Sequence, residues 1–77
     1  MFKLHFEITD RGFLRADFED LYGNDCSIQE SSLASEDAIW LGVGNKRMHL
    51  SREQAKSLLP YLHTFVETGS LVSRDDN

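Results

Sequence analysis

Seven carboxylates lie between Asp17 and Asp37 with no lysine or arginine among them: Asp17, Glu19, Asp20, Asp25, Glu30, Glu36 and Asp37. A run of one sign does one kind of chemistry. It repels the phosphate backbone of nucleic acid, attracts a basic surface and speeds encounter with it. Residues 1–38 carry nine Asp/Glu against three Lys/Arg, and residues 39–77 carry four against five, so the net charge of −5 is concentrated in the first half. Such a face also keeps a small protein in solution, and both readings stand. In the partner-binding reading, Tyr22 is the amphipathic anchor and Gln29, with the serines around it, supplies directional hydrogen bonds. The other reading of this stretch is a turn and an edge strand whose polar groups satisfy local backbone.

The remaining candidate chemistry is thinner. Cys26, His5, His49 and His63 are ligand types for zinc, but no pair has a compact metal-site spacing. Asp17 with Asp20, and Glu36 with Asp37, are carboxylate pairs, yet nothing in the sequence builds a shaped site around them. Gly42-Val43-Gly44-Asn45-Lys46 lacks the full phosphate-loop pattern and the helix that must follow it. Lys46, Arg47, Arg52 and Lys56 form the one basic cluster, which is read as pairing with acids rather than binding nucleic acid directly. No catalytic residue, metal or cofactor is assigned, and the chain is read as a non-enzyme.

The elements that must position these residues follow from periodicity. Phe2, Leu4, Phe6 and Ile8 alternate with Lys3, His5 and Glu7, which predicts a half-buried strand. Thr9 to Gly12 turns the chain, and Phe13 to Phe18 reads as a second strand with Leu14, Ala16 and Phe18 inward. A helix over Phe13–Tyr22 is the alternative. Cys26–Gln29, Ala38–Leu41 and Met48–Leu50 read as further short strands, with Gly42 stopping the second of these. If Ile39 and Leu41 face the helix, Trp40 faces the other way and is exposed in a monomer, which makes it a possible oligomer contact; if it faces the helix it is core.

Ser51 and Gln54 form a capping box, and Ala55, Leu58, Leu59, Leu62, Phe65 and Val66 form one apolar stripe. Gly69 suits the left-handed position at the helix end. Pro60, inside this helix, is expected to kink or break it. The predicted fold is α+β: a small antiparallel sheet of three to five strands with a C-terminal helix packed on one face. Ile39, Leu41, Leu58, Leu62, Phe65 and the Phe2/Leu4/Phe6/Ile8 face are the expected core.

At 77 residues the chain makes one domain, over residues 1–72, with a polar tail at Ser73–Asn77 expected to fray. Its apolar content suffices for one thin core and not for a deep enzyme cleft. The single cysteine makes no internal disulfide, no apolar run is long enough for a membrane span, and the expected compartment is the cytoplasm.

Leu21 to Ala34, Ile39-Trp40-Leu41-Gly42, Arg47 to Gln54 and Leu59-Pro60 resemble a family of short phage and prophage proteins, over most of residues 18–69. Some members have a longer loop between Gly42 and Arg47. The family supplies no catalytic residues to carry over. Small acidic phage proteins of this size resemble inhibitors of bacterial defence, including anti-CRISPR proteins that imitate DNA. The resemblance therefore implies action in the host cytoplasm on a basic bacterial protein or ribonucleoprotein complex, without direct nucleic-acid binding. The alternatives are a structural or accessory phage protein that self-associates, for instance as a homodimer, and a weak nucleic-acid binder.

Overall fold

The computed structural model describes residues 2–73. Five strands follow one another as an antiparallel meander: β1 (His5–Ile8), β2 (Leu14–Glu19), β3 (Asp25–Glu30), β4 (Ala38–Val43) and β5 (Lys46–Ser51), in the spatial order β1-β2-β3-β4-β5. The helix α1 (Arg52–Thr68) follows directly, and its contacts with the sheet are concentrated on β5. The fold is α+β, with the helix packed against one side of the sheet at β5. The polar tail falls, from residue 74 on, outside the described residues.

The register sorts the side chains into two chemically distinct faces. Phe6 pairs with Ala16, Ala16 with Ile28, Ile28 with Leu41 and Leu41 with Met48. Ile8, Leu14, Phe18, Cys26, Ile39, Val43 and Leu50 share that apolar face by the period of two. The opposite face carries His5, Asp17, Ser27 and Gly42 in one row and Arg15, Gln29, Trp40 and His49 in the next. Gly42 does not stop β4, which runs on to Val43. It is needed there as a bare backbone: a Cβ would overlap the Lys46 carbonyl oxygen and lie 2.7 Å from the Arg47 Cα.

The helix starts on the reciprocal cap that its sequence encodes. Ser51 Oγ accepts from the Gln54 amide at 3.1 Å, and Gln54 Oε1 accepts from the Ser51 amide at 3.0 Å. Gly69, at φ 81°, closes the other end with its N–H on the Phe65 carbonyl. Pro60 neither breaks nor ends α1, which is continuous through it.

The expected core is not formed within one chain. Among the described residues, the buried apolar side chains are Ala16 and Cys26 alone. Phe2, Leu4, Phe6 and Ile8 are exposed, as are Leu58, Leu62 and Phe65, while Ile39 and Leu41 are half-buried. The physical reason is topological. A meander ending in a helix beside its last strand leaves that helix near β5, several strands away from β1 and β2.

Candidate functional site

The β2–β3 hairpin ends in a tip, Asp20–Asn24, whose backbone is fixed by one side chain. Asp20 Oδ1 accepts from the amides of Tyr22 and Asn24, both at 2.9 Å, and Oδ2 accepts from Asn24 Nδ2 at 3.0 Å. The Asp20 amide donates to the Asn24 carbonyl, and the Gly23 amide to the Asp20 carbonyl, each at 3.1 Å. Gly23 takes φ 82°, a conformation that a side chain disfavours. These bonds, the Asn24 side-chain amide foremost, hold the Asp20 carboxyl below its ordinary value.

The tip projects Leu21 and Tyr22 into solvent, at 89% and 85% of their full accessibility. Two large apolar side chains on an ordered turn, with nothing beneath them, are unlike the polar tips that hairpins ordinarily carry. Glu19 and Asp25 face each other across the base of the tip, and Asp17 lies two residues along. Lys3 and His5 share the shallow concavity beside these acids.

The structure splits the seven acids into two groups. Asp17, Glu19, Asp20 and Asp25 gather at the tip end of the sheet. Glu30, Glu36 and Asp37 lie at the other end of β3, about 17 Å away at 3.4 Å per residue. Several acids are also engaged. Asp17 pairs with Arg15 at 3.0 Å, Asp37 with Arg52 at 3.6 Å, and Glu30 accepts from the Leu14 amide at 2.8 Å. Glu36 is exposed in the loop between β3 and β4.

A second cluster occupies the polar face of the sheet. Gln29 Oε1 accepts from Arg15 at 3.2 Å and from Arg47 at 3.0 Å. The Arg47 guanidinium carbon lies 5.3 Å from the centre of the Trp40 ring, and His49 stacks on the same ring. Trp40 is therefore half-buried by its own neighbours rather than bare. His49 also meets Ser31 Oγ at 2.8 Å. The sequence reading placed Gln29 and Trp40 but not Arg15, Arg47 and His49 beside them; their alternation with Leu14/Ala16 and Met48/Leu50 is the signal that joins the five.

Ser27 is buried in the next row, between Asp17 and Gly42, and its Oγ makes no hydrogen bond. Cys26 is buried on the apolar face, where desolvation pushes its thiol up, as a packed side chain and not as a thiolate nucleophile. Lys46 and Arg47 point to opposite faces of β5, so the basic cluster is not one surface. Among the described residues, no group of three His, Cys, Asp or Glu side chains is placed to hold a metal ion, and no helix is long and apolar enough to cross a membrane.

Comparison with family models, with curated proteins and with solved structures gave no match to this chain. The functional reading thus rests on the geometry of the tip and on the charge around it.

Proposed function

We propose that this chain is a non-enzymatic interaction protein that docks its β2–β3 tip on a basic, nucleic-acid-handling partner and blocks that partner's nucleic-acid site by charge mimicry. The observation that carries the reading is the pair Leu21 and Tyr22, almost fully exposed on a turn locked by Asp20. An anchor ordered before binding loses little entropy when it docks. Tyrosine in particular buries a large apolar area while keeping a polar end.

Glu19 and Asp25 put negative charge at the base of the anchor, which selects a basic rim around an apolar pocket. A groove that binds nucleic acid has that character: cationic walls and aromatic or apolar floors on which bases stack. The resemblance to short phage proteins supports a bacterial defence complex, such as a CRISPR surveillance complex, as the partner and the host cytoplasm as the compartment of action.

The test is competition. Wild-type protein added to the purified partner should displace a labelled oligonucleotide. Tyr22→Ala should raise the concentration required by about thirtyfold, the effect of losing one interface anchor. Displacement that is unchanged by Tyr22→Ala and Leu21→Ser contradicts the tip as the docking element.

A further inference from the structure

We infer that two copies of this chain associate through the apolar face of the sheet and the apolar stripe of α1, each helix crossing the β1–β2 half of the other copy's sheet. Area, shape and complementarity together point to a second copy as the occupant of this face.

The first is area. The chain exposes 6683 Å², against about 4,800 Å² for a folded monomer of 8.8 kDa. The excess is about 1,900 Å² per chain, or about 3,800 Å² for a pair, which lies within the range that obligate homodimers bury. The second is shape. The radius of gyration is 14.8 Å and the shortest extent is 19 Å, where a compact chain of this length has a radius of about 11.5 Å.

The third is complementarity within the one chain. The apolar face is most open at β1, where Phe6 and Ile8 are 62% and 64% exposed. The stripe of α1 is open at Leu62 and Phe65. These two surfaces lie at opposite edges of the sheet, because α1 packs at β5 and the strand order puts β1 farthest from it. A twofold axis parallel to the strands, running between two stacked sheets, sets β5 and α1 of one copy over β1 of the other. Both unpartnered surfaces are then covered at once by an isologous contact. The charged residues on this face, Glu30 and Lys46, lie at the strand ends and are exposed, which keeps charge out of the middle of the stacked faces. The interface is distinct from Trp40, which belongs to the opposite face.

Analytical ultracentrifugation of the whole chain should give twice the 8.8 kDa chain mass. The melting temperature should rise with protein concentration over about a hundredfold range, as it does when folding and association are linked. Ile8→Asp or Leu62→Asp should shift the mass to one chain or abolish folding. A crosslink separates those outcomes from a general loss of structure. In a Cys26→Ser background, an Ile8→Cys chain mixed with a Leu62→Cys chain should form a mixed disulfide under mild oxidation. A mass of one chain, with a melting temperature independent of concentration, overturns the inference. So does a dimer that tolerates Ile8→Asp and forms no such crosslink. Both results leave the tip reading untouched, since Leu21 and Tyr22 lie outside this interface.

Discussion

Trp40 and His49 stack across β4 and β5 with ring centroids 3.9 Å apart and planes within 4° of parallel. Arg47 approaches the same indole ring and shares Gln29 with Arg15. The only tryptophan of the chain is thus half-buried among its own strand neighbours on the polar face. Replacing Arg47 with Ala should cost about 0.5–1 kcal/mol and shift the Trp40 emission to the red as water reaches the ring. An unchanged spectrum contradicts this packing.

The tip depends on an ionised Asp20. Its folded value lies below the unfolded carboxylate value of about 3.9, so the sign is that of a depressed acid. The contribution of Asp20 is complete above that value and is lost as pH falls through the lower, folded one. Amide exchange at Tyr22 and Asn24, whose N–H groups donate to Asp20, should be protected near neutrality and lose that protection in strong acid. Asp20→Ala should lose it at every pH.

Gly42 sits where the β4 and β5 backbones leave no room for a methyl group. Gly42→Ala must shift the hairpin, at a cost of about 1–3 kcal/mol. Thermal denaturation should register this as a lower midpoint. A midpoint equal to wild type contradicts the close approach of Lys46 and Arg47 to Gly42.

Ser27 is buried and holds a hydroxyl with no hydrogen-bond partner. Removing an unsatisfied buried polar atom relieves its desolvation, so Ser27→Ala should stabilise the chain by about 1 kcal/mol. Urea denaturation measures the difference, and a loss of stability means that the hydroxyl is bonded after all.

How far the sequence foretells this arrangement depends on the range over which each signal acts. The alternation around Phe6, Leu14, Ala16 and Phe18 marks two strands because the pleat repeats every two residues. The Ser51–Gln54 box and Gly69 mark both ends of α1 because capping is settled within four residues. The exposure of Leu58, Leu62 and Phe65 was not legible. Their spacing specifies a stripe, but which surface covers it depends on where the meander leaves the helix. Pro60 is tolerated within a continuous helix that the same sequence pattern threatened to break.

The candidate site divides in the same way. Asp17 to Asp37 reads as one acidic run, and Asp17 to Asp25 stay together at one end because a hairpin keeps near neighbours close. Glu30, Glu36 and Asp37 depart along β3 to the opposite end. Tyr22 was visible as an aromatic beside Gly23, whereas its near-complete exposure comes from the turn that Asp20 holds.

The most direct test of the charge-and-anchor account is capture of partners from bacterial lysate at low and high salt, with wild-type protein beside a Glu19→Gln/Asp25→Asn variant. The account predicts a nucleic-acid-handling protein held at low salt, released as salt screens the contact, and captured far more weakly by the neutralised variant. A partner retained equally at both salt concentrations and by both proteins contradicts it.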